Sequence, residues 1–203
     1  MRQLLMSLLL LTFTKYSLGA ENSKYFVFVG EKISVTVVPP KEGEIPFDKQ
    51  YLAKYRVVVP YRGSYNGKEI DFTAFDHYGS PGFANYQHVL MYVELHEGKY
   101  FHTKYQYTPL YRTKDGRWAG PYDAYDYNHE YNKHTAIRPE VIDFLTPVVF
   151  DIACDGKKAC EKWFPEPYYR IEGKKAVAVY GNYVPELFLL KQSGVLKARG
   201  DFQ

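Results

Sequence analysis

Apolar and polar positions alternate along most of this chain in short runs, and the runs are separated by turn residues. Tyr25-Phe26-Val27-Phe28-Val29 and Ile33-Ser34-Val35-Thr36-Val37-Val38 are rich in β-branched and aromatic residues. They predict two strands on either side of Gly30-Glu31. Pro39 to Glu44 predicts a loop. In the run from Leu52 to Val59, the expected inward positions are Leu52, Tyr55, Val57 and Val59. Arg62-Gly63-Ser64-Tyr65-Asn66-Gly67 predicts a turn, because Asn-Gly tolerates positive φ. Ile70, Phe72 and Ala74 then alternate on one face, so residues 52–75 predict a β-hairpin. A second hairpin runs from His88 to Leu95, turns at His96-Glu97-Gly98-Lys99 and returns from Tyr100 to Tyr107. Lys114-Asp115-Gly116-Arg117 predicts another tight turn, with Trp118 behind it.

The pattern fades between residues 119 and 136, a polar, tyrosine-rich stretch that predicts a long loop. Pro139 to Phe144 predicts a short helix with proline in its first turn. Val148 to Ala153 and Lys175 to Tyr180 predict strands, and Pro185 to Lys191 a second short helix ending near Gly194. The sum is a mainly β fold, a small antiparallel barrel or sandwich, OB-like among the options, with two short helices.

Residues 1–20 change the picture of compartment. Arg2, the apolar run from Leu4 to Phe13, and the small residues Ser17-Leu18-Gly19-Ala20 predict a signal peptide cut after Gly19 or Ala20. Residues 21–203 then form one β-rich domain in a secreted or periplasmic protein. Removing Arg2 and Lys15 takes the formal charge of +3 down by two, to near neutrality. A balance that even argues against a nucleic-acid partner, which needs a concentrated basic face. No second apolar run reaches the length of a membrane span. In an oxidising compartment, Cys154 and Cys160 are expected to pair as a disulfide across the Asp155-Gly156 turn.

The strand rhythm at Ala53-Lys54-Tyr55-Arg56-Val57-Val58-Val59-Pro60-Tyr61-Arg62-Gly63, Ile70-Asp71-Phe72 and Val89-Leu90-Met91-Tyr92-Val93 resembles the barrel strands of netrin-type domains. That group includes the tissue inhibitors of metalloproteinases, and the resemblance implies a secreted OB-like barrel. The chain lacks the cysteine near the mature N-terminus through which those inhibitors chelate zinc, and it lacks their several disulfides, so protease inhibition does not carry over. Residues 50–112, with Phe75-Asp76-His77-Tyr78-Gly79, and the ending Val195-Leu196-Lys197-Ala198-Arg199-Gly200 also resemble uncharacterised secreted proteins of Gram-negative bacteria. That second resemblance implies a compartment and no activity.

Two places carry candidate chemistry. Asp76-His77 stands at a strand end before the Gly79-Ser80-Pro81-Gly82 break, where histidine can act as base or ligand and aspartate can orient it. The tyrosine-rich stretch offers Trp118, Tyr122, Tyr125, Tyr127 and Tyr131 as a ligand-binding face, flat rings beside Asp and Asn being suited to sugars or peptides. The expected ligand surface joins this stretch, with Trp118, Tyr125, Tyr127 and His129, to Asp76 and His77. Oxygen-bearing residues at 126, 128, 130 and 132 have the spacing of a calcium loop, without its glycine or its distal glutamate. His77, His129 and His134 could together hold a divalent metal. No nucleophile elbow, phosphate loop, dinucleotide fingerprint or zincin motif occurs. The leading expectation is therefore a binding or interaction module without catalytic residues, whose partner is an envelope protein or a glycan. A metal-dependent hydrolase using the three histidines and a structural envelope-associated protein are the alternatives.

Overall fold

A computed structural model describes residues 24–152 and 157–201. Residues 1–20, expected as a signal peptide, and Cys154 lie outside the described residues; among those described, no cysteine is a free thiol. Five strands close into a barrel: β1 (Tyr25–Val38), β2 (Lys49–Arg62), β3 (Glu69–Asp76), β4 (His88–His96) and β5 (Lys99–Pro109). Their order around the barrel is β1-β2-β3-β5-β4, with β4 returning to β1. Every pairing is antiparallel except the contact of β3 with β5. This order is that of an OB-type barrel.

The barrel interior is set by the period of two. Phe26 and Phe28, Tyr51, Ala53 and Tyr55, Ile70, Phe72 and Ala74, and Val89, Met91 and Val93 all point into one buried cluster. A 3-10 turn between β3 and β4 (Gly82–Asn85) drops Phe83 into the end of the barrel, where it is fully buried. The hairpins at Glu97-Gly98 and Asp115-Gly116 form where expected, each with its glycine at positive φ.

Four expectations change. There is no turn at Gly30: β1 runs unbroken past it, with register shifts that bend the strand around the barrel. A Cβ at Gly30 would stand 2.8 Å from the Phe28 ring and 3.0 Å from the Tyr55 ring, so glycine marks a crowded bend. In β2 the inward positions are the odd ones, so Leu52 is exposed, and Val59, beyond a bulge, is 42% exposed. Residues 139–144 form no helix. Their backbone is drawn into pairing, as β8 below and as a bridge from Phe144 to Thr113. The stretch 119–136 is not a structureless loop, because local caps and a buried asparagine organise it.

The rest of the chain packs on the barrel as a second layer. It contains β6 (Tyr111–Arg112), β7 (Trp118–Pro121), β8 (Glu140–Val141), β9 (Val149–Asp151), β10 (Tyr169–Glu172), β11 (Lys175–Ala178) and β12 (Tyr180–Tyr183). The helices are α1 (Ala124–Asn128), α2 (Lys157–Trp163) and α3 (Val184–Lys191), the last continuing through a π-type segment, Gln192–Leu196, kinked at Gly194. Of the two helices expected only α3 forms, and α1, α2 and this continuation are additional. Sheets β6-β7-β12-β8 and β10-β11-β9 share a small core with Ile142, Phe144, Val148 and Tyr169. α3 covers the outside of the barrel: Leu187, Phe188 and Leu196 pack on Val27, Val29, Leu90 and Tyr92. Tyr25-Phe26-Val27-Phe28-Val29 is a continuous apolar run for this reason: β1 and β4 are buried on both faces. The Tyr25 hydroxyl donates to Asp201 and ties the end of the described chain to the first strand.

Candidate functional site

Between β5 and the second layer lies a cleft of about 500 Å³. Its walls are largely tyrosine: Tyr86 before β4, Tyr107 on β5, Tyr122 and Tyr125 at α1, and Tyr169 on β10. Burial raises the hydroxyl pKa values of Tyr86, Tyr122 and Tyr169 and pushes that of Tyr107 up to about 12, so these rings stay neutral. Asp123 caps α1, its Oδ1 accepting from the Tyr125 backbone N–H at 2.9 Å. One edge of Asp123 faces solvent. The crowding protein around the carboxyl raises its pKa, and the Asp126 charge adds to the shift. Gln106 Oε1 and Thr108 Oγ1, on residues that line the cleft, are buried without a hydrogen-bond partner in the protein.

The lip of the cleft is an irregularity in the barrel. Met91 pairs with Tyr107 while Val93 pairs with His102, so residues 103–106 bulge out of β5. Tyr105 sits in this bulge at φ +66°, a left-handed conformation that costs about 1–2 kcal/mol for a residue with a Cβ. His102 closes the bulge by hydrogen bonding through Nε2 to the Gln106 carbonyl at 3.0 Å. Arg199 donates to the Lys104 carbonyl at 2.8 Å, and Lys104 Nζ reaches Asp48 at 2.5 Å. The surrounding structure thus holds open a strained segment whose side chains line the cleft, a placement typical of functional sites.

Below α1 the polar residues with calcium-loop spacing have other work. Asp126 and Lys191 form a buried ion pair at 3.0 Å. Asn132 donates through Nδ2 to the carbonyls of Asp126 and Leu190, and accepts from Ser193 Oγ at 2.8 Å. Asn128 and Glu130 are exposed. One face of the 126–132 segment therefore fastens to α3 and the other faces water, which accounts for the alternation without a metal.

The residues singled out in the sequence divide between several places. Asp76 is buried and accepts from the Tyr78 N–H at 2.8 Å, a local Asx turn. His77 hydrogen bonds the Phe47 carbonyl at 2.8 Å, stacks on the Phe47 ring and lies 3.7 Å from Asp48. These partners belong to the end of the barrel where β2 begins and β3 ends, and none comes from the 118–134 segment. Trp118 is only 9% exposed, covered by the guanidinium of Arg112 and flanked by His88. Tyr127 is half-buried, and its hydroxyl donates to Asn182 at 2.7 Å. Tyr125 is 64% exposed on the cleft rim. His129 Nδ1 accepts from the Tyr131 N–H, and His134 is exposed. No group of three or more His, Cys, Asp or Glu side chains positioned to hold a metal occurs among the described residues.

Of the expected face, then, Tyr122 and Tyr125 reach the cleft, Trp118 and Tyr127 support the structure beneath and beside it, and Asp76 and His77 do not join it. Tyr86, Gln106, Tyr107, Thr108, Tyr169 and Lys191 line the cleft without having been flagged, since they come from four separate segments with no common spacing. Their one signal in the sequence is the total of 21 tyrosines, which announces an aromatic surface without locating it. No protein-family model, curated protein or solved structure matches this chain.

Proposed function

We propose that this protein is a binding module acting outside the cytoplasm, and that it seats a hydroxylated ring ligand, a glycan, in the tyrosine cleft. One observation carries the reading: a cleft of about 500 Å³ walled by five tyrosines, with a carboxylate at one end and a strained tyrosine on its lip. That volume lies in the range of small-molecule sites. Tyrosine faces stack on the apolar faces of sugar rings, and Asp123 accepts from ring hydroxyls. The leader-like segment at residues 1–20 supports the compartment. Among the described residues, the side chains lining the cleft include no serine, cysteine or histidine, and the reading is therefore of binding rather than of acyl or phosphoryl transfer.

The test is calorimetric titration of the purified protein with a panel of neutral and acidic trisaccharides. Binding should occur in the micromolar to millimolar range. Tyr125→Ala and Asp123→Asn should each weaken it about tenfold. Tyr125 is exposed, so its loss should move stability by less than about 0.5 kcal/mol. A panel that shows no binding, or binding indifferent to both substitutions, would sink the proposal.

A further inference from the structure

Beside the tyrosine cleft lies a second cavity of about 470 Å³, lined by Arg112 and His88. Tyr86 and Phe150 line both, so the two spaces share a wall. The cleft carries Asp123 together with Lys191, which is paired with Asp126, and Arg199, which donates to the Lys104 carbonyl, whereas no acidic side chain lines the second cavity among the described residues. The polar groups there are rich in N–H donors: the Arg112 guanidinium, the His88 imidazole, the side-chain amides of Asn85 and Gln87, and the Trp118 indole.

Two of these donors flank the Trp118 ring, while the Gln87 amide also donates to the Lys32 carbonyl at 3.3 Å. The guanidinium carbon of Arg112 is 4.1 Å from the Trp118 ring centroid, and the His88 ring is 4.6 Å away. Arg112 is exposed, and its hydrogen bond goes to the Gly116 carbonyl rather than to a carboxylate. The Trp118 Nε1–H is buried with no acceptor in the protein, and an unmet buried donor in a native fold calls for an explanation. Burial lowers the His88 pKa, ahead of an opposing contribution from Glu31 and a further lowering by Arg112. The imidazole is therefore uncharged at neutral pH, and Arg112 is the charge that an incoming anion meets.

We infer that this cavity receives the carboxylate of the ligand whose ring lies in the tyrosine cleft, which makes that ligand an acidic sugar of the uronate class. The inference rests on the cleft being a ring-binding site. Arg112 supplies a planar fork that matches a carboxylate in two parallel hydrogen bonds. Tyr86 and Phe150 border both spaces, so the second cavity is the immediate neighbour of a ring seated in the cleft.

The experiment compares trigalacturonate with its trimethyl ester by calorimetry on the folded protein, wild type and Arg112→Gln. The acid should bind wild type at least tenfold more tightly than the ester. Arg112→Gln should abolish that preference and leave the ester affinity within twofold. Arg112→Lys, which keeps the charge and loses the fork, should fall between. Equal affinity for acid and ester in wild type, or a preference that survives Arg112→Gln, overturns the carboxylate pocket and leaves the cleft reading standing. Failure of both ligands to bind overturns the cleft reading, and the pocket's role with it. Binding of hexaglutamate with the same dependence on Arg112, and none of trigalacturonate, overturns the sugar in favour of an acidic peptide.

Discussion

Inside the barrel, Phe83 meets its aromatic neighbours at an edge or a tilt: Tyr55 at 6.0 Å, Phe72 at 5.8 Å, His102 at 4.7 Å and Tyr107 at 6.3 Å between ring centroids. In the second layer, Tyr122 stacks flat between Tyr168 at 3.8 Å and Tyr127 at 5.1 Å. The hydroxyls differ as well. Tyr55, deep in the barrel, makes one long contact of 3.4 Å to the Phe83 carbonyl. Tyr169 and Tyr127 hold bonds of 2.5 Å to the Tyr122 carbonyl and 2.7 Å to Asn182. Edge-to-face rings fill a closed volume from all sides. Flat stacks pinned by their hydroxyls leave ring faces and edges oriented toward a cleft. Around Phe83 the aromatics fill a closed volume and around Tyr122 they hold a surface in shape, although each region also has the other geometry: Phe26 stacks on Phe28 in the barrel, and Phe164 meets Tyr169 edge-on in the second layer.

The largest test of that contrast is Phe83→Ala. The ring is fully buried, and the residues around it are fixed on strands, so the hole cannot close well. The loss should be about 3–5 kcal/mol, read as a fall in the denaturant midpoint at unchanged slope. Tyr125→Ala, on the cleft rim, should leave the same midpoint almost in place. Equal losses at the two positions would mean that the second layer is as tightly packed as the barrel and that the contrast is false.

What the sequence disclosed follows the range of the interactions. The hairpins at Glu97-Gly98 and Asp115-Gly116 were legible because a tight turn with positive φ is a local demand that glycine announces. The inward face of Ile70, Phe72 and Ala74 was legible because a strand with one buried face alternates. Gly30 misled because a glycine that admits crowded rings looks, in sequence, like a glycine that makes a turn. The closing contacts of β1 with β4 and of β3 with β5 join distant residues, and no local pattern encodes them. The candidate site suffers from the same cause. Tyr125 carried a local signal, but the cleft exists only because β5 bulges toward a layer assembled from residues 86 to 199. Trp118 misled in the other direction, since the cation that covers it, Arg112, approaches across a β-bridge.

His102 is where the barrel departs from its own apolar rule, and it offers the next test. Burial drops its pKa to about 4, against a bond to the Gln106 carbonyl that raises it. The unfolded chain, with an ordinary imidazole near pH 6.5, takes up the proton first as pH falls. The stabilising difference is therefore fully present above pH 6.5 and is lost progressively from there toward pH 4, by about 3 kcal/mol in all. His102→Gln should flatten that limb of the stability–pH profile. A variant profile parallel to wild type across this window would show that His102 titrates normally and that the bulge at Tyr105 is more open to water than its burial implies.

The smallest effect sharpens the comparison most directly, because it removes one oxygen atom from each region. Tyr55→Phe in the barrel gives up a hydrogen bond of 3.4 Å, too long to contribute much, and relieves a hydroxyl of burial. It should leave stability within about 0.5 kcal/mol of wild type. Tyr127→Phe gives up the 2.7 Å bond to Asn182 Oδ1, on a residue only 1% exposed, and leaves that acceptor without its partner. The cost should be about 1–2 kcal/mol. Asn182 Nδ2 also holds the Arg138 carbonyl at 3.1 Å, so a shifted Asn182 would loosen the segment leading to β8. Hydrogen exchange should accordingly rise at residues 136–141 in Tyr127→Phe and nowhere in the barrel. Matching losses for the two variants, or exchange that rises in β2 as much as near β8, would show that the second layer does not depend on its hydroxyls and that its flat stacks are held by packing alone.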